Sequence, residues 1–246
     1  DGDPFTPDEQ YARWTLDLRP DDRTFRLMAE ALSHWINVEE PARQALRDAM
    51  LRGDSAALQG QGREVDSGLA DLAEGLNPDQ TRALHLAWSH PALTLPHGPP
   101  GTGKTTTLVA MIRGFARQQQ RILATAPSNT AVDLLALRCR EAGLDVVRIG
   151  HPIRIEEAVL SSSLESKVEA HPEHKQVRAL RKRAKDAWRE ADRFRRNFTA
   201  EDRRARTEAR REARDLEREA NDLEAYLADR ILADAQVICA TLAGAS

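Results

Sequence analysis

Cysteine and aromatic residues are scarce in this sequence of 246 residues. Its two cysteines, Cys139 and Cys239, are too few and too far apart in the chain for a disulfide framework or a zinc site. Aromatic residues make up only 4% of the chain and charged residues 30%, a composition that favours long solvated helices over a thick β-sandwich. The scarcity of cysteine suits a reducing compartment, so we predict a cytoplasmic protein.

Long apolar runs are also missing. No stretch of about 18 apolar residues occurs, so the sequence predicts no membrane span, and its start lacks the pattern of a secretory signal. Hydrophobic residues still make up 41% of the chain, which suffices for one large domain or two small ones. The chain begins with Asp1 and not with methionine, so we expect either a processed start or a piece of a longer protein.

The most informative stretch is residues 95–108, which contain a phosphate-loop pattern, G-x-x-x-x-G-K-[ST]. The pattern needs glycines because consecutive backbone N–H groups must turn inward around phosphate oxygens. Lys104 would then reach the β- and γ-phosphates, and Thr105 would ligate Mg²⁺. The predicted phosphate-binding residues are Gly98, Pro99, Pro100, Gly101, Thr102, Gly103, Lys104, Thr105 and Thr106.

The segments around this loop favour a nucleotide site over a plain surface turn. Residues 92–96 form a short apolar run typical of a buried strand, and residues 104–118 have the pattern of a helix whose positive N-terminal end would face the anion. Strand, helix and strand patterns follow at residues 121–126, 129–142 and 146–149. This alternation predicts parallel βαβ units in an α/β fold.

A glutamine lies ahead of the loop, near the start of a helix that Asn77 is suited to cap and Pro78 to open. One helix, a turn and a strand between Gln80 and Gly98 would return the Gln80 side chain to the loop. Because an amide both donates and accepts, Gln80 could pair with the N6 and N7 edge of adenine, which predicts ATP as the nucleotide. The alternative is a solvated helix residue.

The loop after strand 121–126 offers polar groups at a second helix start. Ser128 or Asn129 could act only as an N-cap. In an open α/β sheet, however, ligands bind at the carboxyl ends of the strands, and hydroxyl and N–H groups at a helix start suit a nucleic-acid phosphate. Both interpretations stay open from the pattern alone.

Two helices with narrow apolar seams predict an antiparallel helical hairpin, of coiled-coil type, over residues 171–233. The first helix would begin at Pro172, and Thr199 with Asp202 would form a capping box on the second. The seam residues are Val177, Leu180, Ala184, Ala187, Ala191, Phe194 and Phe198, then Ala205, Ala209, Ala213, Leu216, Ala220, Leu223 and Leu227.

The two halves of the hairpin differ in charge. Residues 171–200 carry ten basic and four acidic residues, whereas residues 201–230 carry eight and ten. The basic helix is either a solvated surface or a nucleic-acid contact. A metal site at His171 and His174 is not expected, because they lack further ligands.

The two ends of the chain complete the organisation. Residues 235–241 have the pattern of a buried strand, so the parallel sheet resumes and the hairpin is an insertion in one nucleotide-binding domain. Residues 1–75 give weaker signals: an alternating strand around Trp14, a helix from Pro41 and a glycine-rich linker at 53–68. One further helical face there is expected to pack in a core and consists of Phe25, Met28, Leu32, Trp35 and Ile36.

Taken together, four segments resemble motifs of superfamily 1B helicases. Residues 76–80 resemble the Q motif, 98–105 motif I, 126–133 motif Ia and 237–246 motif Ic. The immunoglobulin-mu-binding-protein helicases are the family that the sequence resembles most, since residues 148–154, the hairpin and residues 18–32 also look like theirs. That family is known for ATP-driven 5′–3′ translocation on single-stranded DNA or RNA, with two RecA-like domains, a β-barrel insertion and a helical stalk.

The resemblance implies a role for each matching residue. Gln80 would contact adenine, and Lys104 and Thr105 would be catalytic, with Thr105 on Mg²⁺. The residues implied to lie along the nucleic acid are Ser128, Asn129, Thr241 and Ser246. The family's Asp-Glu Walker B pair and second RecA-like domain do not occur in the sequence. We therefore expect a monomeric piece of a helicase that works with the remainder of that protein.

The resulting division has four parts: a partial accessory segment at 1–75, a first part of a RecA-like core at 76–170, the hairpin at 171–233 and the resumed core at 234–246.

Two other ATPase classes share the phosphate loop or the charged hairpin, namely the ring-forming remodelling ATPases and the chromosome-structure ATPases. A non-catalytic nucleotide-binding module is a third alternative. Gln80 and the Pro127-Ser128-Asn129 segment favour the helicase over the first two.

Overall fold

The computed structural model describes residues 23–53, 69–89, 93–193 and 199–245. The chain divides into two compact units, Asp1–Glu40 and Pro41–Ser246. The described part of the first unit contains helix α1 (Arg23–Ile36). The strand predicted around Trp14 lies outside the described residues.

Helix α1 confirms the predicted helix, but four of the five residues of its apolar face are not part of a core among the described residues. Phe25 and Ile36 are 72% and 69% exposed, and Met28 and Leu32 are exposed as well. Helical spacing predicts which side chains share a face. It does not determine what packs on that face, and no described residue buries these four side chains.

The second unit contains the remaining helices and all the described strands. Helices α2 to α5 are Pro41–Arg52, Pro78–Ser89, Lys104–Arg117 and Asn129–Glu141, and helices α6 to α9 are Glu157–Leu160, Leu164–Ala170, His174–Asp192 and Ala200–Asp234. The strands are β1 (Ile122–Ala126), β2 (Val146–Ile149) and β3 (Val237–Thr241). No helix of the described part is long and apolar enough to cross a membrane.

The three strands form a parallel sheet in the order β1-β3-β2. The last strand in sequence therefore lies in the middle, with Ala126 level with Thr241 at the carboxyl end. Helices α4 and α5 cover the sheet with a core that includes Val109, Val132, Leu135, Cys139 and Val237. This arrangement confirms the predicted α/β class with a parallel sheet, as in a RecA-like P-loop fold.

The strand predicted at residues 92–96 is not present among the described residues of that segment. Residues 93–96 have no strand conformation, and Leu95 is 81% exposed. A short apolar run forms a strand only where a neighbouring strand completes its hydrogen-bond ladder, and Pro96 has no N–H to donate. Among the described strands, β1 is at the edge of the sheet.

The hairpin of α8 and α9 is antiparallel, as predicted. Arg230 pairs with Glu173 near one end, the Trp188 indole donates to Glu217 in the middle, and Arg210 pairs with Asp192 near the other end. The buried seam between the helices consists of Val177, Ala184, Ala191, Ala213, Leu216, Ala220 and Leu227.

The details of the hairpin agree with the sequence expectation only in part. Helix α8 begins at His174 and not at Pro172. Ala205 is exposed and is not part of the buried seam. The capping box of Thr199 and Asp202 is confirmed, whereas Phe194 and Phe198 lie outside the described residues.

A smaller core joins α3 to α4. Leu72, Leu84 and Trp88 are buried there with Met111, and the rings of Trp88 and Phe115 stack at 5.8 Å between centroids. Aromatic and aliphatic burial of this extent fixes the relative position of two helices. The N-terminus of α3, which carries Gln80, is thereby held next to the N-terminus of α4.

Candidate nucleotide and nucleic-acid site

The phosphate loop turns sharply into the first residue of α4. Gly101 and Gly103 have φ angles of +82° and +78°, a left-handed conformation in which a side chain is strained. A Cβ on Gly103 would also collide with the amide nitrogen of Gln80. Glycine at these two positions therefore allows the loop to turn as it does.

Helix α4 leaves its first backbone N–H groups available to an anion. Gly103 is its N-cap residue and provides no side-chain cap, so N–H groups of the first turn point into the loop without an intrahelical partner. The ammonium of Lys104 lies in the same loop and donates to the carbonyls of Gly98 and Pro99, each at 2.8 Å. An oxyanion that entered the loop would meet a cation and a positive helix end together.

Gln80 connects helix α3 to this loop. Its backbone N–H donates to Asn77 Oδ1 at 2.9 Å, and its Oε1 accepts from the Asn77 N–H at 3.0 Å, which is a reciprocal helix cap. Its Nε2 donates to the carbonyl of Thr102 at 2.9 Å. The other described residues leave one N–H and one oxygen lone pair of the amide free, and these are the groups that adenine N7 and N6 require.

These groups line one cleft of about 460 Å³, a size within the usual range of small-molecule sites. Asn77, Gln80 and His97 lie on its walls together with Gly98, Thr102 and Lys104. Of the described residues that line the cleft, Asp79 is the one with a carboxylate. The cleft offers a place for a base beside Gln80 and for phosphates beside Lys104.

The described residues include no group of three or more His, Cys, Asp or Glu side chains suited to a metal ion. Thr105 is half-buried in the first turn of α4, where its hydroxyl fits a cation that phosphate oxygens and water also ligate. His174 is buried, and its Nε2 lies 3.6 Å from Glu224 on α9.

Three of the four residues predicted to contact nucleic acid lie at the carboxyl edge of the sheet. Ser128 follows β1 and caps α5, accepting from the Ala131 N–H at 3.3 Å. Asn129 is the first residue of α5 and is half-buried. Thr241 ends β3, and its hydroxyl accepts from the Gly244 N–H at 3.2 Å. Ser246 lies outside the described residues.

A buried ion pair that the sequence patterns did not predict lies behind this edge. Arg148 is fully buried on β2, and its Nε donates to Asp133 Oδ1 at 2.6 Å. The signal was present, since a lone arginine within the apolar strand Val146–Ile149 must have a partner to be buried. Asp133, four residues after Asn129, gave no such signal because a carboxylate on a helix is usually solvated.

The fold and loop geometry define a P-loop nucleotide-binding domain. An AAA domain family model matches residues 75–246. DNA-binding protein SMUBP-2 of Rattus norvegicus is 37% identical over 133 residues, which cover 54% of this chain and 13% of that protein. DNA polymerase alpha-associated DNA helicase A of Schizosaccharomyces pombe is 42% identical over 90 residues, covering 37% of this chain and 14% of that protein.

A further relative is an ATP-dependent helicase of Methanocaldococcus jannaschii, 31% identical over 196 residues, which cover 74% of this chain and 27% of the helicase. The chain thus spans 13% to 27% of the lengths of these three relatives. It belongs to the AAA domain family of superfamily 1 helicases.

Proposed function

We propose that this chain is the ATP-binding first RecA-like domain of a 5′–3′ translocase or helicase that acts on single-stranded DNA or RNA. The observation that carries the proposal is the convergence of Lys104, the uncapped end of α4 and Gln80 on one cleft. The names of the relatives, which include ATP-dependent helicases and a DNA-binding protein, support it.

In the proposed nucleotide complex, Lys104 and the N–H groups of α4 bind the phosphates, and Thr105 ligates Mg²⁺. Gln80 donates to adenine N7 and accepts from adenine N6. Guanine presents the acceptors O6 and N7 at the same edge, so the free oxygen of Gln80 would face O6 unfavourably. The site therefore favours ATP over GTP.

The proposed nucleic-acid strand crosses the carboxyl edge at Ser128, Asn129, Thr241 and Ser246. Helix α8 adds positive charge, since exposed Lys175, Arg178 and Lys182 recur on one face and form no ion pair with another described residue. Phosphate contacts from such groups release counterions. Binding should consequently weaken as salt is added.

Hydrolysis is proposed to need groups beyond those of this chain. A carboxylate must hold Mg²⁺, another must orient the attacking water, and cationic groups must neutralise the transferred phosphoryl. Of the described residues in the cleft, only Asp79 has a carboxylate, and it lies in the first turn of α3. We expect the remainder of the helicase, including a second RecA-like domain, to supply these groups, with the chain itself monomeric.

Titration with fluorescent ATP tests the nucleotide site. Lys104→Ala should weaken binding strongly, whereas the matched change Lys182→Ala on α8 should not. Unchanged ATP affinity in Lys104→Ala would remove the loop from the proposal.

Titration with labelled oligo(dT) or oligo(U) over a range of salt tests the second surface. The logarithm of the association constant should fall by about 0.7 per phosphate contact for each tenfold increase in salt. An affinity independent of salt would contradict binding along a phosphate backbone, and equal affinity for the two oligomers would mean that the site does not read the 2′-hydroxyl.

A further inference from the structure

Arg148 makes hydrogen bonds with three residues, two on α5 and one on its own strand β2. Besides Asp133, its guanidinium donates to the carbonyl of Ile149 on its own strand and, from Nη2, to Asn129 Oδ1 at 2.9 Å. The other oxygen of Asp133 accepts from the Glu156 N–H at 3.0 Å. The guanidinium thus extends from the interior to the first residue of α5.

The space around this guanidinium is closed on the side of the following loop. A Cβ on Gly150 would lie 2.5 Å from Arg148 Nη1, so a larger residue at this position would displace the side chain. Arg148 is 0% and Asp133 1% exposed. Both groups are therefore held in one arrangement by packing as well as by hydrogen bonds.

The chemistry of arginine decides how the Asn129 amide is turned. A guanidinium has five N–H donors and no acceptor, so the atom of Asn129 that faces it must be the carbonyl oxygen. The Nδ2 group then points away from Arg148, and it has no hydrogen-bond partner among the described residues. Without Arg148, the amide could turn its oxygen outward, and an oxygen repels phosphate.

We infer that Arg148 and Asp133 are positioning residues for nucleic-acid binding, which hold the Asn129 amide so that its NH₂ group donates to a phosphate of the bound strand. Asp133 keeps the guanidinium in place, and Arg148 orients Asn129. The inference rests on the proposed function, because it requires the nucleic acid at the carboxyl edge of β1.

A double-mutant cycle tests the coupling. Dissociation constants for labelled oligo(dT) are measured for the unmodified chain, Asn129→Ala, Arg148→Lys and the double variant. Lysine keeps a positive charge beside Asp133, but its single ammonium lacks the planar fork that reaches two partners at once. Arg138→Lys, on the surface of α5 where Arg138 pairs with Glu141, is the matched control.

Loss of one hydrogen bond to a charged group should weaken binding about tenfold in Asn129→Ala. Arg148→Lys should weaken it several-fold when Asn129 is present and should add nothing when residue 129 is alanine. Arg138→Lys should leave the affinity unchanged, and ATP affinity should be the same in all variants, which shows that the fold persists.

Other results separate the two ideas. If Asn129→Ala binds as tightly as the unmodified chain, the proposed placement of the nucleic acid is wrong, and the positioning role is wrong with it. If Asn129→Ala weakens binding but Arg148→Lys does not, or if the two effects add, the placement stands and the positioning role is overturned.

An NMR measurement on the unmodified chain covers the case in which Arg148→Lys does not fold. The Asn129 side-chain NH₂ signals, identified by their loss in Asn129→Ala, should shift when oligo(dT) is added. The Arg148 Nε–H signal should not shift, because that group is buried on Asp133. Unshifted Asn129 signals at saturating oligo(dT) would overturn the inference.

Discussion

Replacing Gln80 with glutamate changes one NH₂ group of the nucleotide site into an oxygen. In the unmodified chain the Asn77 N–H donates to Gln80 Oε1 at 3.0 Å, and a glutamate oxygen should accept the same hydrogen bond. The negative charge of the glutamate is also favourable at the start of α3. The helix cap should therefore persist. The variant loses the donor to the Thr102 carbonyl, at 2.9 Å in the structure, and the donor proposed for adenine N7.

The hydrogen bond to Thr102 is internal to the protein and is present without nucleotide, so the loss of ATP affinity follows from the adenine hydrogen bond. One such bond contributes about 0.5–1.5 kcal/mol net, so Gln80→Glu should weaken ATP binding by about that free energy. This corresponds to a dissociation constant raised roughly 2- to 13-fold. Gln80→Glu should still prefer ATP to GTP, because a carboxylate accepts from adenine N6 and repels guanine O6. Gln80→Ala should lose the preference.

Fluorescent ATP and GTP analogues with Mg²⁺ provide the assay, with Gln176→Glu, an exposed glutamine on α8, as the matched control. Thermal melts check that the Gln80 variants stay folded. The proposed contact of Gln80 with adenine is refuted if the unmodified chain binds ATP and GTP equally, or if Gln80→Glu binds ATP as tightly as the unmodified chain.

Three further predictions concern turnover, the buried ion pair and the thiols. Phosphate release by the 246-residue chain with saturating single-stranded DNA should stay near background, since an arginine finger alone contributes about 10³–10⁵ to turnover; strong DNA-stimulated release that Lys104→Ala abolishes would contradict this. Arg148→Met leaves the buried Asp133 carboxylate without its cation and should lower the free energy of unfolding by about 3–5 kcal/mol in urea titrations, with partial recovery when Asp133→Leu is added, because the Glu156 N–H then loses its acceptor. Burial raises the pKa of Cys139 to about 11 and of Cys239 to about 12 from the ordinary 9.0, so both should react slowly with a thiol reagent at pH 8 and rapidly in urea. Because the folded thiols keep their protons when the unfolded ones lose them, the free energy of unfolding should fall as the pH rises from 9 to 12; an unchanged value would argue against burial of the thiols.

The sequence alone predicted the features that depend on neighbouring residues in the chain. The phosphate loop, the cap at Asn77, the capping box of Thr199 with Asp202 and the start of α5 at Asn129 each follow from residue types a few positions apart. The hydrogen bonds of the three helix starts close within one helical turn, and those of Lys104 close within residues 98–104, so their energies depend little on the rest of the fold.

Tertiary structure decided the features that depend on distant parts of the chain. Gln80 meets Thr102 only because α3 packs on α4. Residues 93–96, the described part of the 92–96 run, do not form a strand because no described strand completes their hydrogen-bond ladder. The placement of β3 between β1 and β2 brings Thr241 level with Ala126. Arg148 reaches Asp133 and Asn129, 15 and 19 residues earlier in the chain, because a buried charge is stable only where packing brings its partners together, and no local pattern encodes that arrangement.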